Sequence, residues 1–459
     1  MTEQSLPITY NDKLLEEISS LSNQKGLKVL GIILATKPCF IKLWSLMEEA
    51  EKKSIPYAII NTGQHFDDLL GFGLKEFDFE DRVAVNLNIR GDLSQKSAEL
   101  FLKVRDLYQH LKNLKIILIP YVNGDTIVAG IFPAAWLFAS NEKCIQGEAG
   151  LRAMSPAYPK GFENLSAQDF FNVQASGKWS VLRNEPFPEQ WDTFVSAASC
   201  QYFFAPLELN KSHLVREAYN PKDIFVTGNT VVDTVNLRKK KKPQESIFEL
   251  YPQLENGDWL RIDIHRRENL TERRFKSIIG AVSNLVNSGI KVVMIELTAT
   301  SKALDYYSLR KKLSSLGNKG FLFTPLWKEY AQVMEFFTSG HCAAVLTDSG
   351  SLQEEANELG MPCLTCRFSS DRPETVFEAK SNMLIPPYEA GFMSRIIKEA
   401  FDTPLLDSLS RSKKLYGENV AIKTLGFAKH ILEDKAPVFR WAHEELGLWK
   451  DDRFDLNYL

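Results

Sequence analysis

The stretch 346–376, LTDSGSLQEEANELGMPCLTCRFSSDRPETV, concentrates more potential chemistry than any other part of the chain. It reads as two consecutive strand-to-helix junctions shaped to hold a diphosphate and a ribose. The apolar run 342–346 has the character of a buried strand. Asp348-Ser349-Gly350-Ser351 then turns it into a helix whose first amides lack partners within the helix and so suit an anion. Ser349 and Ser351 add hydroxyl donors, and Gly350 lets the backbone approach closely. Glu355 shares a helical face with Ser351, where a carboxylate would accept both ribose hydroxyls, while Glu354 points about 100° away. A second junction follows, strand 363–366 and then Arg372-Pro373-Glu374, with proline at a helix start and Arg372 beside the same anion. Taken alone, Ser-Gly-Ser is equally the spelling of a plain helix cap.

Five more polar blocks sit just past apolar runs, where open parallel sheets gather their ligands. In ATKPCFIK, Lys37 and Lys42 straddle a helix start, and Lys42 by itself is the pattern of an exposed helix residue. Asn123-Gly124-Asp125-Thr126 offers a carboxylate that is either catalytic or a cap. Gly147 to Arg152 places Glu148 and Arg152 four residues apart, a spacing an internal salt bridge would also explain. Glu189 precedes an expected helix over 193–202, whose dipole it would favour. Asp263-Ile264-His265-Arg266-Arg267-Glu268-Asn269 places His265 and Arg266 at a strand end, a costly group to bury without an anion.

The elements that must position these residues alternate strand, loop and helix from Leu27 onward. Strands are expected at 29–34, 57–61, 116–120, 143–146, 260–264, 292–297 and 321–323, besides those at 342 and 363. Helices are expected at 42–52, 132–139 and 413–434, with a helical tail over 441–459. Such alternation predicts parallel sheets covered on both faces. At 459 residues two domains are expected. The basic run RKKKKP suggests a linker, giving a first domain over 1–237 that carries the catalytic carboxylates, a linker over 238–258, a second domain over 259–415, and a helical segment over 416–459 returning to the first. The aromatic-bearing stretch 153–186 suggests a lid, an oligomer contact or a surface insertion.

A net charge of −3 offers no basic field for nucleic acid. The polar, acidic amino end and the absence of a long apolar run predict a cytoplasmic protein that does not engage a membrane. Six scattered cysteines predict buried thiols, with Cys363-Leu-Thr-Cys366 as an unmatched pair and no metal site.

DSGSLQEEANELGMP followed by RPET resembles the nucleotide half of the UDP-N-acetylglucosamine 2-epimerase family. The NGDT, EAGLR and HRREN blocks, with Asn61-Thr-Gly63-Gln64-His65 and Thr227-Gly-Asn229, agree with it in the same order. The resemblance implies an α/β fold of two Rossmann-like domains facing a cleft, the GT-B or glycogen phosphorylase-like architecture. It carries catalytic roles onto Asp125, Glu148, Glu189 and His265, and UDP-sugar contacts onto Lys37, Lys42, Arg152, Arg266, Ser349, Gly350, Ser351, Glu355 and Arg372. No cofactor is implied, and a homodimer is usual in such families. In this sequence Lys37 replaces the family's arginine and Cys39 a glutamate. Gln190, Asp192 and Thr193 replace Glu, Asn and Arg, Glu296-Leu297-Thr298 replaces Pro-Val-His, and Val333 stands where an aromatic residue underlies the base. Some members bind a second, activating sugar nucleotide near Gln64, His65 and the histidine replaced here.

The C2 proton of an N-acetylhexosamine is not acidic until the anomeric C–O bond begins to break. Epimerisation would therefore proceed by loss of UDP, with acid and base on opposite faces of C2. Asp125 and Glu189 are expected to share proton transfer, with Glu148 positioning the sugar and His265 assisting the phosphates. The expected reaction is interconversion of UDP-GlcNAc and UDP-ManNAc without hydrolysis. Alternatives are a hydrolysing epimerase releasing ManNAc and UDP, an idle UDP-sugar-binding protein, and a glycosyltransferase.

Overall fold

The computed structural model describes residues 5–63, 76–77, 79–435 and 438–449. Contacts divide the chain into two compact units. Met1–Gly150, Trp191–Thr230 and Asn419–Leu459 form the first; Leu151–Gln190 and Val231–Glu418 form the second.

The strands in chain order are β1 (Thr9–Tyr10), β2 (Val29–Leu34), β3 (Tyr57–Asn61), β4 (Val83–Asn86), β5 (Leu118–Asn123), β6 (Cys144–Gly147), β7 (Met154–Pro156), β8 (Trp179–Val181), β9 (Cys200–Ala205) and β10 (Ile224–Val226). There follow β11 (Trp259–Asp263), β12 (Lys291–Glu296), β13 (Phe321–Pro325), β14 (Cys342–Thr347), β15 (Cys363–Thr365) and β16 (Asn382–Leu384).

The first unit is built on a sheet ordered β1-β4-β3-β2-β5-β6-β9-β10, parallel except for the antiparallel edge pair β1 and β4. VLGIIL in β2 is buried at every position, as a central strand covered on both faces must be. The helix Val420–Glu433 packs on the helix Lys37–Lys52, and the Leu432 carbonyl accepts from the Lys28 amide just before β2.

The second unit holds a wholly parallel sheet ordered β13-β12-β11-β14-β15-β16. Counting parallel strands in chain order within each unit, both sheets run outward in opposite directions from their first strand. Each therefore has a switch point, between β2 and β5 in one and between β11 and β14 in the other. That is the doubly wound Rossmann arrangement, whose crevice opens at the carboxyl ends of those strands.

Several expectations are corrected. The helix expected at 42–52 begins at Lys37, because Thr36 and Pro38 supply a start signal one turn earlier. The helix expected over 193–202 is Glu189–Ala198, and Cys200–Ala205 is a fully buried strand. A short apolar run such as CQYFFA has no periodicity to distinguish the two states. The basic run lies inside the second unit: Arg238 ends the buried helix Val231–Arg238, and the chain changes unit earlier, at Thr230. Among the described residues near the carboxyl end, helix is formed over Val420–Glu433 and the short Ala442–Glu445.

The stretch 153–186 is neither lid nor surface decoration within its unit. β7 and β8 pair as a hairpin, and Met154 bridges to Ser370. Phe170, 0 % exposed, joins Phe162, Tyr158 and Phe392 in an aromatic cluster of the second unit's core. Gln174 accepts from the Leu384 amide at 2.7 Å and donates to its carbonyl at 3.0 Å, covering the open edge of β16.

Candidate functional site

The switch point of the first unit carries Lys42, Asp125 and Glu148. Lys42 lies on the inward face of the helix Lys37–Lys52 and is 5 % exposed. Its Nζ lies 2.6 Å from Glu148 Oε1, and Asn229 Nδ2 donates to the same oxygen at 2.8 Å. Glu148 follows β6 in the left-handed region, at φ 52°, a conformation that costs a residue with a side chain roughly 1–2 kcal/mol. Asp125 sits between Gly124 and Thr126, whose hydroxyl caps the helix Ile127–Ser140. A Cβ placed on Gly124 would stand 3.4 Å from Glu148 Oε2, so the Asp125 loop runs against the Lys42–Glu148 pair. The Cys39 thiol reports the same convergence. Burial pushes its pKa up, Lys42 pulls it down, and both Asp125 and Glu148 push it up. Lys37, the first residue of its helix, is half-buried.

The switch point of the second unit is organised by Asp348, immediately after β14. Because β14 pairs with β11 in the register Asp263 to Thr347, Asp348 faces the chain leaving β11. Its carboxylate accepts the amides of His265 and Arg266 and the side chain of Asn269, and lies 3.1 Å from His265 Nδ1. Burial opposes a charge on the His265 ring, but the adjoining Asp348 carboxylate outweighs it and raises the pKa; Asp348 is lowered in return, against its own burial. The His265 side chain is 40 % exposed, so the ring is open to solvent.

The helix Gly350–Leu359 starts one residue beyond Ser349, with no side-chain cap bond. Gly350 is required by space: a Cβ there would come within 2.8 Å of Asp371 Oδ2. Ser349 and Ser351 are half-buried at this helix start. Glu355, 7 % exposed, accepts a hydrogen bond from Tyr330 Oη at 2.9 Å. Glu354 turns the other way, as the helical repeat demands, and receives Arg372 Nε at 2.6 Å.

Arg372 departs from expectation. It is 1 % exposed, bound to Glu354 and 3.2 Å from Asp371, so internal carboxylates already meet its charge. Arg152 is likewise buried, with Nη1 donating to the Leu151 carbonyl at 2.6 Å. Glu189, expected on the first domain, belongs to the second unit and forms an ion pair with Arg266. The hairpin and helix preceding it draw it there.

All six cysteines are buried free thiols. Among the described residues no group of three or more His, Cys, Asp or Glu is placed to hold a metal ion, and no helix is long and apolar enough to cross a membrane. Gln64 and His65 lie outside the described residues.

The sequence model described as UDP-N-acetylglucosamine 2-epimerase matches residues 175–425. A Clostridium acetobutylicum protein named for that activity is 30% identical over 415 residues, covering 86% of this chain and 93% of its own. The UDP-N-acetylglucosamine 2-epimerase of Methanocaldococcus jannaschii is 28% identical over 366 residues, 78% of this chain and 88% of that one. This chain belongs to the UDP-N-acetylglucosamine 2-epimerase family.

The fold agrees. The crystal structure of the M. jannaschii enzyme in complex with UDP-GlcNAc and UDP superposes with a TM-score of 0.71 at 24% identity, covering 88% of this chain and 99% of that one. A glycosyltransferase from Rickettsia africae shares the fold at a TM-score of 0.54 and 11% identity, covering 89% of this chain and all of that one. Among the family departures, Glu296 pairs with Arg310 at 2.7 Å, and Val333 lies in the helix Tyr330–Thr338. Sequence reasoning had not assigned functional roles to Asp348, Asn229, Tyr330 or Arg367. For Asp348, Asn229 and Tyr330 the signal is positional, since each matters through a partner distant in sequence, whereas Arg367 pairs with Asp371 four residues on.

Proposed function

We propose that this epimerase family member inverts C2 of UDP-N-acetylglucosamine without hydrolysis, giving UDP-N-acetylmannosamine through elimination and re-addition of UDP. The observation that supports this is the His265 ring, 3.1 Å from the Asp348 carboxylate that raises its pKa, with Asp348 two residues before the start of the helix Gly350–Leu359. A departing diphosphate needs a preorganised positive field, which the ring and the first helix amides of Gly350 and Ser351 supply together. Glu355, anchored by Tyr330, is assigned the ribose hydroxyls.

A carboxylate takes the C2 proton while the C1–O electron pair leaves with UDP, forming the C1=C2 double bond of a glycal. Return of a proton to the other face of C2, and of a diphosphate oxygen to C1, completes inversion with no net change in atoms. Asp125 and Glu189 are assigned these proton transfers, with Glu148 and Lys42 as the charged support beside Asp125. Incubation with UDP-GlcNAc in heavy water, followed by proton NMR, tests the assignment. Deuterium at C2 together with UDP-ManNAc is the expected result. Free ManNAc with UDP would mark a hydrolysing enzyme, and UDP binding without exchange would mark an idle binding protein; either overturns the proposal.

A further inference from the structure

Glu148 needs more from its surroundings than an opposite charge. The residue is buried and its backbone lies in the left-handed region at φ 52°, yet the side-chain bonds still allow the carboxylate to turn and exchange its two oxygens. Lys42 by itself does not fix that rotation, because an ammonium is a compact charge with rotatable donors. A carboxamide is planar and directional. Asn229 supplies one, donating from Nδ2 to Glu148 Oε1 at 2.8 Å while Lys42 Nζ lies 2.6 Å from the same oxygen.

The two donors belong to one stitched piece of structure. Asn229 lies in the loop after β10, between Gly228, at φ 94°, and Thr230. Thr230 Oγ1 donates to the carbonyl of Lys42 itself, and Ser45 Oγ, three residues on in the helix Lys37–Lys52, donates to the Thr230 carbonyl at 3.3 Å. At the other end of the loop the Thr227 amide donates to the Ala205 carbonyl of β9 at 2.9 Å. Asn229, Thr230 and Ser45 are all buried, so a shift of either donor on Glu148 Oε1 is passed to the other.

Engaging Oε1 twice decides where Oε2 is turned. A Cβ placed on Gly124 would stand 3.4 Å from Glu148 Oε2, so that oxygen faces the loop carrying Asp125. The charged and titratable groups around Glu148 are Lys42 and Cys39 from the helix Lys37–Lys52, Tyr121 from β5 and Asp125 from the loop after it. Which oxygen Glu148 offers to this group therefore depends on the clamp behind it.

We propose that Asn229 is a positioning residue for C2 inversion: with Lys42 it fixes the rotation of the Glu148 carboxylate, so that Oε2 stays turned toward Asp125 during proton transfer. Thr230 anchors Asn229 to the helix that carries Lys42. Asn229 acts through Glu148 and exchanges no proton itself, since a carboxamide neither gains nor loses one at working pH. This assignment rests on the proposed epimerase reaction.

Asn229→Ala should lower kcat for C2 deuterium exchange about 10- to 100-fold, the equivalent in rate of a hydrogen bond to a charged group, with KM for UDP-GlcNAc within about twofold. Asn229→Asp keeps the shape but sets a second carboxylate against Glu148 Oε1, so besides that loss the acidic limb of its rate profile should move to higher pH. Thr230→Val removes only the hydroxyl on the Lys42 carbonyl and should cost about two- to tenfold in kcat. A profile of Asn229→Asp superimposing on wild type would overturn the proposal, as would an equal loss of kcat and UDP affinity with the limb unmoved, the mark of a merely structural residue. A second measurement does not depend on turnover. In the full chain labelled with nitrogen-15, a slowly exchanging carboxamide signal should vanish in Asn229→Asp and shift in Glu148→Gln. A signal lost in the first variant and unmoved in the second refutes the hold on Glu148. Absence of C2 exchange in the wild type refutes the epimerase reaction instead.

Discussion

The two switch points have the same sheet topology and opposite electrostatic designs. At the first unit's end a buried lysine, a buried glutamate and an asparagine meet beside Asp125, with one cation against one anion in the Lys42–Glu148 pair. In the second unit the run Arg367–Asp371–Arg372–Glu354 shares partners, so Asp371 and Arg372 each meet two opposite charges. Removing either member of a buried one-to-one pair leaves the other charge uncompensated. A shared network distributes loss and keeps a rigid floor, as suits gripping an unreactive handle.

Substitutions in the first unit's half should therefore cost most. Asp125→Asn should lower C2 deuterium exchange by roughly 10²–10⁴-fold while leaving UDP affinity, measured calorimetrically, within a few-fold. An exchange rate equal to wild type would remove Asp125 from the chemistry. Lys42→Met removes the Nζ that lies 2.6 Å from the buried Glu148 carboxylate, and should destabilise the protein by about 3–5 kcal/mol in denaturant titration. A cost below about 1 kcal/mol would show that this half is no more fragile than a surface pair.

The dense half should respond less, and with a pH signature. The folded-state pKa of His265 is raised, so its contribution is fully present below the unfolded value of about 6.5 and is lost as pH climbs through the folded value. That of Asp348 is lowered, so its contribution is present above about 3.9 and is lost as pH falls through the folded value. The stability gap between wild type and Asp348→Asn should hence be widest between about pH 4 and 6.5 and narrow on both sides, as read by thermal unfolding across pH. A gap independent of pH would sink the ion-pair account. The smallest effect is expected of Tyr330→Phe, which strips one hydrogen bond from Glu355 and should weaken UDP binding by about 0.5–1.5 kcal/mol. A loss as large as that from Lys42→Met would erase the contrast between the halves.

Residue order alone determined the alternation of strands and helices, the helix start at Ser349 and Gly350, and the divergence of Glu354 from Glu355, because each depends on neighbours within a turn or two. It also carried the family resemblance, which lies in short contiguous blocks. The opposite happened at Lys42, which resembles an exposed helix residue until Glu148, 106 positions later, is folded against it. Arg372 looks like an anion ligand until Glu354 and Asp371 are seen to use its charge. The allegiance of 151–190 was hidden for the same reason: Phe170 and Gln174 are placed by β16 and the helix Ala390–Asp402, more than 200 residues downstream. Helical and strand periodicity is written locally, whereas the partner of a buried charge is chosen by which strands become neighbours in a sheet, and only the tertiary structure decides that.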